Sequence, residues 1–342
     1  MKAVRYIQAG KPPEIVDLPR PEPGPGQVLL RVAAAGVCHS DLHLLDHGRF
    51  TNPFTLGHEN SGYIAGLGEG VTGFKEGDAV AVYGAWGCGH CHSCQHSAEN
   101  YCHHLKSPHT IGGGLGEDGG MAEYMIVPSP RQLVSLGKLD PVLAAPLSDA
   151  ALTPYHAIKA ALPWLTPDAS VVVVGIGGLG HMAVQILRAL TSAQIIACDI
   201  DDSKLAHAKA LGADHLVSTR DAAAARHAIR ALVGERGAAV ALDFVGAQPT
   251  IDLCASIVGF ASRLTIVGLG GGILHYGANK PPYGCEVNVP FWGTRAELME
   301  VIALAEAGRI HSEVERFPLE DAPKVYERLR EGKIHGRAVL IP

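Results

Sequence analysis

The feature that most constrains the fold is an unbroken β-branched run followed at once by a glycine-rich turn. Ser170–Val174 predicts a strand buried on both faces, as the strands of parallel sheets are. Residues 179–192 then place apolar side chains at helical spacing. A G-x-G-x-x-G turn between strand and helix lets the backbone approach a pyrophosphate at the helix N-terminus. We therefore predict a dinucleotide-binding turn, with a glycine turn of another α/β protein as the alternative. The fingerprint residues are Gly175, Gly177, Gly178, Leu179 and Gly180.

An acidic residue in the next strand indicates which dinucleotide fits. Asp199 lies 19 residues after Gly180, at the end of a second apolar run over 195–198. A carboxylate at this place accepts hydrogen bonds from ribose hydroxyls and repels a 2′-phosphate, so it favours NAD over NADP. Two more apolar runs, over 240–244 and 264–267, continue the alternation of strands and helices. A doubly wound parallel sheet is therefore predicted over 151–290.

The flanking segments have a different pattern. Residues 1–150 carry short apolar runs, such as Val28–Val32 and Ala79–Tyr83, between Gly- and Pro-rich turns. This pattern predicts an irregular, mostly antiparallel β domain, with residues 112–120 as a loop. The last fifty residues contain two predicted helices, over 297–307 and 322–331, and a final strand over 338–341. Periodicity leaves open whether they complete the parallel sheet or return to the first domain.

Four closely spaced cysteines form the strongest chemical signal, namely Cys88, Cys91, Cys94 and Cys102. Four thiolates at this spacing can surround a tetrahedral Zn²⁺, and with no position left for water such a site is structural. A redox pair or an iron–sulfur cluster is the alternative, although the spacing differs from the ferredoxin run.

Composition limits the remaining classes. The chain has 342 residues, 47% hydrophobic and 18% charged, which predicts two folded domains rather than disorder. A net charge of −6 argues against a nucleic-acid or membrane partner. The first residues lack the apolar segment of a signal peptide, and no apolar run reaches membrane-spanning length. We therefore expect a cytoplasmic protein, in which the eight cysteines are metal ligands, reactive thiols or buried side chains rather than disulfides.

A third set of residues suggests a second, open metal site. The segment Cys38–His43 contains a cysteine, two histidines, a serine and an aspartate, and His58 and Glu59 follow about twenty residues later. A thiolate and an imidazole together suit zinc. Singly, each of these residues could be a buried or merely polar side chain.

In order and separation, these motifs resemble those of the zinc-dependent medium-chain alcohol dehydrogenases along essentially the whole chain. The likeness is greatest to bacterial NAD-dependent members that act on secondary and aryl alcohols. It implies a GroES-like catalytic domain from 1–150 and 291–342, into which a Rossmann domain over 151–290 is inserted. It also implies two zinc ions per chain, reversible hydride transfer between an alcohol and NAD, and a homo-oligomer, either tetramer or dimer.

The resemblance implies specific roles around the open zinc. Cys38 and His58 match the first two ligands of the family's Cys₂His set, and Asp149 stands where the family has its second cysteine. Asp149 then either binds the zinc directly or lies beside a residue that does. Glu59 matches a glutamate behind the metal that can become a transient ligand. Ser40 matches the hydroxyl that hydrogen-bonds the substrate oxygen. His43 either returns the proton to solvent or is a surface histidine without a role.

Further positions are implied to contact the cofactor and the substrate. For the cofactor these are His39 and Arg337 at the phosphates, and Thr153, Val267, Gly268 and Leu269 at the nicotinamide. Position and bulk suggest the substrate walls Trp86, Leu115, Phe291 and Trp292, whose apolar character favours an apolar or aryl alcohol. The alternatives are a polyol or sugar dehydrogenase, a zinc-less quinone reductase, and a zinc-ribbon module that contacts nucleic acid or protein.

Overall fold

The computed structural model describes residues 1–48, 50–104 and 111–342. The chain divides into two compact units, one made of Met1–Leu152 with Trp292–Pro342 and the other of Thr153–Phe291. Within the described residues, no helix is both long enough and apolar enough to cross a membrane.

The described strands are, in chain order, β1 (Lys2–Tyr6), β2 (Glu14–Asp17), β3 (Val28–Gly36), β4 (Phe54–Thr55), β5 (Glu59–Leu67), β6 (Ala79–Val82), β7 (Gly112–Gly113), β8 (Gly116–Glu117), β9 (Tyr124–Val127), β10 (Leu133–Ser135), β11 (Ser170–Val174), β12 (Gln194–Asp199), β13 (His215–Ser218), β14 (Ala238–Asp243), β15 (Val258–Ile266), β16 (Glu286–Asn288), β17 (Val314–Pro318) and β18 (Arg337–Ile341).

The described α-helices are α1 (His39–His47), α2 (His92–Gln95), α3 (Pro141–Ala144), α4 (Leu152–Ala161), α5 (Gly180–Leu190), α6 (Asp202–Ala210), α7 (Ala222–Val233), α8 (Gln248–Ile257), α9 (Arg295–Glu306) and α10 (Ala322–Arg330). Short 3₁₀ turns cover Glu99–Tyr101, Pro130–Gln132, Ala145–Ser148, Leu162–Trp164 and Leu319–Asp321.

The first unit is built on a sheet with the strand order β10-β6-β5-β3-β18-β17, to which β9 adds by pairing with β3. Its pairs are antiparallel except for β17 with β18. Strand β3 is buried along most of its length because it lies between neighbours on both sides. The pairing of β18 with β3 resolves the open question about the last fifty residues, since it returns them to the first unit.

The second unit holds one parallel sheet in the order β13-β12-β11-β14-β15-β16. This is the strand order of a doubly wound dinucleotide-binding sheet. The apolar core on one of its faces includes Val172, Val174, Ile196 and Ile229. The predicted fold class is confirmed.

Two local predictions were wrong. Residues 112–120 contain the short strands β7 and β8 rather than only a loop, because Gly112 and Gly113 pair with Gly116 and Glu117. Strand β15 begins at Val258, well before the predicted residue 264, since its first residue already pairs with Ala238 across an irregular register.

Candidate active site

Helix α1 positions the first predicted zinc ligand. Cys38 is its N-cap residue, and the Cys38 backbone N–H donates to Asp41 Oδ2 at 3.0 Å. An acidic residue at the third helical position commonly satisfies this N–H, so the sequence fixes the turn locally. Asp41 is completely buried, and its Oδ1 lies 3.2 Å from His58 Nδ1. No role was predicted for Asp41, although it stands in the Cys38–His43 motif.

Strand pairing brings Glu59 and Arg337 together. Glu59 begins β5 opposite Gly36 of β3, and Arg337 begins β18, whose Val339 also pairs with Gly36. A side chain at position 36 would collide with the Glu59 carboxylate, so glycine is required there. Both Glu59 oxygens accept hydrogen bonds from the Arg337 guanidinium, and both side chains are buried.

Asp149 follows the 3₁₀ turn Ala145–Ser148, and Trp292 secures that turn. The Trp292 indole N–H donates to the Ser148 carbonyl at 2.8 Å, and its ring packs edge-on against His58 with centroids 5.6 Å apart. Trp292 adopts a φ of 55°, which is rare for a bulky residue. The indole therefore contacts both the turn before Asp149 and a predicted zinc ligand.

The three predicted ligands of the open zinc site converge. Asp149 Oδ2 lies 3.5 Å from Cys38 Sγ and 3.6 Å from His58 Nε2. Donor atoms of Cys38, His58, Glu59 and Asp149 all lie within 4.8 Å of one another. Because Nδ1 of His58 faces Asp41, Nε2 is the nitrogen turned toward the other donors. Metal-binding histidines are oriented by such a carboxylate on the far ring nitrogen.

The charges of this cluster favour a cation. Burial lowers the pKa of His58, but Asp41 and Asp149 outweigh it and hold that pKa well above its ordinary value. Burial raises the pKa of Asp149, but His58 and Arg337 hold it well below its usual range. Burial raises the pKa of Glu59 to about 7, opposed by Arg337. A ring held between two buried carboxylates, beside a thiol, matches the donor chemistry of a Zn²⁺ site.

Arg337 lies in the same buried cluster of charged side chains as Glu59 and Asp149. Its guanidinium contacts Glu59 and lies 3.4 Å from Asp149 Oδ2, and the residue is 3% exposed. Its predicted contact with a cofactor phosphate stays a prediction.

The proton-relay candidates lie near Cys38 on α1. Ser40 Oγ is 3.5 Å from Cys38 Sγ. His43 is exposed and one helical turn further along, and His39 is exposed at the first position of the helix. Because side chains three residues apart share a helix face, Ser40 and His43 are neighbours at the surface.

The four cysteines of the second predicted zinc site also come together, with their sulfur atoms within 4.8 Å of one another. Backbone N–H groups point at the sulfurs: Cys91 N lies 3.3 Å from Cys88 Sγ, and Cys88 N lies 3.3 Å from Cys102 Sγ. The backbone N–H of Cys94 lowers the pKa of Cys91 to about 5, whereas burial raises that of Cys94 to about 12. Four sulfur donors fit a closed Zn²⁺ site.

In the second unit the glycine fingerprint connects β11 to α5, as predicted. Gly175 has a φ of +88°, and a Cβ on Gly180 would lie 1.9 Å from the Gly175 carbonyl oxygen, so both positions need glycine. Around Gly177 there is open space. A bound group could therefore come close to the backbone at the start of the eleven-residue helix α5, as a dinucleotide pyrophosphate does.

Two aspartates at strand ends hold the neighbouring loops. Asp199 ends β12, and its Oδ2 accepts from the Ile176 N–H at 2.7 Å, inside the fingerprint turn. Asp243 ends β14 and accepts from the Val245 and Gly246 N–H groups at 2.9 Å. Asp243 was not predicted as a site residue, although an aspartate at the carboxyl end of a predicted parallel strand was a usable signal.

The remaining predicted cofactor residues also belong to the second unit. The Val267 and Gly268 N–H groups both donate to the Asp243 carbonyl, at 2.8 and 3.1 Å, while Leu269 is exposed. Thr153 is buried near the start of α4. Their predicted contact with the nicotinamide stays a prediction.

The predicted substrate walls have different surroundings. Trp292 contacts His58, as described above, whereas Trp86 lines a cavity of about 520 Å³ whose other lining residues include Arg5 and Tyr124. None of the three predicted ligands lines that cavity. Leu115 is buried in the first unit, and Phe291 is partly exposed at the end of the second.

Comparison with known proteins identifies the family to which the chain belongs. Residues 24–138 match the alcohol dehydrogenase GroES-like domain, and residues 178–307 match the zinc-binding dehydrogenase domain. An NAD-dependent alcohol dehydrogenase from Sulfurisphaera tokodaii is 36% identical over 100% of both chains. The chain belongs to the zinc-dependent medium-chain alcohol dehydrogenases. The predicted family, enzyme class and cofactors, zinc and NAD, are confirmed.

Two further relatives bear on this dehydrogenase. The crystal structure of the alcohol dehydrogenase from Aeropyrum pernix superposes with a TM-score of 0.92 at 39% identity, covering 100% of both chains. A D-arabinose 1-dehydrogenase (NADP(+)) from Saccharolobus solfataricus is 36% identical, covering 100% of this chain and 97% of its own.

Proposed function

We propose that this NAD-dependent zinc alcohol dehydrogenase interconverts secondary or aryl alcohols and their ketones or aldehydes, with Cys38, His58 and Asp149 as the catalytic zinc ligands. The convergence of these three donors carries the proposal, since they come from distant parts of the chain yet meet within 4.8 Å. Cys88, Cys91, Cys94 and Cys102 hold the second zinc. When bound, the catalytic zinc supplies a Lewis acid for the alcohol or carbonyl oxygen, and NAD supplies the hydride acceptor.

The buried polar groups around the three ligands orient them. Asp41 holds the His58 ring through Nδ1, and the Arg337 guanidinium neutralises Glu59 beside the ligand set. A carboxylate ligand replaces one family thiolate at Asp149, and its harder oxygen leaves the zinc a stronger Lewis acid. Glu59 stands close enough to act as a transient ligand.

The proton released by the alcohol leaves through α1. Ser40 Oγ, next to Cys38 Sγ, would accept the hydrogen bond of the alcohol O–H and release its own proton toward the exposed His43, which exchanges it with solvent.

The second unit binds NAD, with the pyrophosphate at Gly175–Gly180 and the adenosine ribose at Asp199. The Asp199 carboxylate disfavours a 2′-phosphate by charge. His39 and Arg337 contribute to the phosphate contacts, and Thr153, Val267, Gly268 and Leu269 surround the nicotinamide.

Apolar and aromatic side chains support an apolar or aryl substrate. Trp292 packs against His58, and in this proposal its indole ring forms an apolar wall beside that ligand. The D-arabinose relative makes a sugar or polyol the second candidate, although that protein is named for NADP(+) and this chain carries Asp199.

A substrate screen separates these candidates. With NAD, purified enzyme is offered primary, secondary and aryl alcohols, linear polyols and D-arabinose at matched concentrations. We expect the highest kcat/KM for a secondary or aryl alcohol. A polyol or sugar with a kcat/KM above every monoalcohol would contradict the proposed substrate class and leave the enzyme class intact.

We also propose a cytoplasmic homo-oligomer, a tetramer or dimer. Strand β16 ends the parallel sheet, and exposed apolar side chains such as Tyr283 and Val289 flank it in sequence. An exposed sheet edge is a common place for chain association. Size-exclusion chromatography with light scattering measures the molar mass of the enzyme in solution. A monomer would contradict this proposal.

A further inference from the structure

The cysteine lobe carries histidines that the two zinc sites do not use. Between Cys88 and His104 there are five exposed histidines, His90, His92, His96, His103 and His104. Histidines beside cysteines in a short segment are typical of metal binding.

Two of the five face one cysteine of the lobe. Ligand atoms of Cys88, His90 and His104 lie within 4.8 Å of one another. The rings of His90 and His104 have centroids 5.5 Å apart and an interplanar angle of 33°. Both are exposed, so small rotations bring their nitrogens to the separation of about 3.5 Å that zinc ligands need. One sulfur and two imidazoles are zinc donors.

A hydrogen bond prepares His90 as a ligand. Its Nδ1 lies 3.0 Å from the Cys88 carbonyl oxygen, which can only accept. In the neutral ring Nδ1 therefore carries the proton, and Nε2 is the nitrogen whose lone pair can bind a metal. A backbone carbonyl on the far ring nitrogen is the arrangement that orients metal-binding histidines.

Cys88 belongs to both ligand sets. It is half-buried, whereas Cys91, Cys94 and Cys102 are buried, and its sulfur lies 3.9 Å from that of Cys94. A thiolate sulfur has more than one lone pair, so it can face a metal inside the four-cysteine site and a second one outside it.

The other histidines of the lobe make different contacts. His92 and His96 stack on each other with centroids 4.2 Å apart. His103 Nε2 lies 3.3 Å from Ser93 Oγ. Among the described residues, neither arrangement is part of a three-donor group, so His92 and His96 provide a matched control.

We propose that His90, His104 and the shared Cys88 thiolate form an outer, solvent-exchangeable Zn²⁺ site on the cysteine lobe. Its exposed position leaves room for water as a further ligand, in contrast to the closed four-cysteine site behind it. The site needs no oxidation or covalent step, because the histidines bind in their neutral form.

Metal counting on the intact enzyme tests the site. Enzyme loaded with two zinc ions per chain is dialysed against buffered free Zn²⁺, and bound zinc is measured by elemental analysis. We expect a third zinc in the wild type and in His92→Asn/His96→Asn, and at least about tenfold weaker binding of that ion in His90→Asn/His104→Asn. Co²⁺ added to the two-zinc enzyme then reports the shared sulfur, through a thiolate-to-cobalt absorption band while the zinc content stays at two.

Three results would overturn the proposal. One is a wild type that binds no third ion; another is a third ion lost in His92→Asn/His96→Asn and kept in His90→Asn/His104→Asn. A cobalt ion that binds as the third metal without the thiolate band would remove Cys88 from the site. None of these results bears on alcohol oxidation with NAD, so the proposed function is tested separately.

Discussion

The two predicted zinc sites of the first unit are built in opposite ways. The four cysteines of one site lie within fifteen residues, and backbone N–H groups of the same segment point at their sulfurs. The predicted ligands of the other are the N-cap residue of α1, the residue before β5 and a residue in the turn before α4. The first site is set by local sequence, and the second by how distant strands pair.

This difference explains why one site suits structure and the other suits catalysis. Four sulfur ligands fill a tetrahedral zinc and leave no place for substrate. Cys38, His58 and Asp149, the proposed catalytic ligands, would supply three donors of mixed hardness, and buried charges of Asp41, Glu59 and Arg337 surround them. We infer that the polar groups around the second site tune a reactive metal, a task that the first site does not have.

The largest effect is expected at Asp149. Asp149→Ala removes a charged ligand, so kcat should fall at least about 10²-fold, equivalent to roughly 2.7 kcal/mol of transition-state stabilisation. The zinc of the four-cysteine site should remain, as elemental analysis would show. Asp149→Cys restores the family's usual ligand and should retain the catalytic zinc better than the alanine variant. Full activity of Asp149→Ala would exclude Asp149 from the ligand set.

A smaller effect is expected from substitution of Asp41, whose carboxylate faces His58 Nδ1. Asp41→Asn keeps the shape but loses the charge that holds Nδ1, so zinc affinity at the open site should fall about 10- to 100-fold. Competition with a chelating dye measures this affinity. Asp46→Asn is the control, because Asp46 lies on the same helix and pairs with Arg330 at the surface. Equal zinc loss in both variants would mean that Asp41 acts only through helix stability.

The smallest effect concerns the cofactor and should leave both zinc sites loaded. Asp199→Gly removes the charge that disfavours a 2′-phosphate, so the ratio of kcat/KM for NAD to that for NADP should fall on the order of tenfold. Asp199 also accepts a hydrogen bond from Ile176, so the glycine variant loosens the fingerprint turn as well. Asp199→Asn separates the two effects, since its amide oxygen can still accept that bond. An unchanged ratio in both variants would show that Asp199 does not discriminate between the cofactors.

The contrast between a site in one short segment and a site assembled from distant segments also explains what could be predicted from the sequence. The four-cysteine site and the Gly175–Gly180 turn are encoded in single short segments, so spacing alone predicts their chemistry. Strand β11 was equally clear, because Val171–Val174 is apolar without interruption. Asp149 came from family resemblance at a position where this chain departs from the usual cysteine, and the structure brings it to Cys38 and His58.

What the sequence missed depends on pairing between distant residues. Glu59 and Arg337 are separated by 278 positions, and they meet because β3 lies between β5 and β18. Strand β5 was not predicted, since its first residues, Glu59 and Asn60, are polar yet buried by their partners. Asp41 and Asp243 act through hydrogen bonds to neighbours, and neither composition nor periodicity reports such bonds.

The central claim is that one chain holds two zinc ions of different accessibility, and stepwise chelation tests it most directly. Zinc content, alcohol oxidation with NAD and melting temperature are followed together as chelator is increased. Because three ligands leave the catalytic ion open to competing donors, we expect activity to disappear as zinc falls from two to one per chain. The melting temperature should then drop further as the second ion leaves the four-cysteine site. A single zinc in fully active enzyme, or simultaneous loss of both ions at every chelator concentration, would contradict the claim.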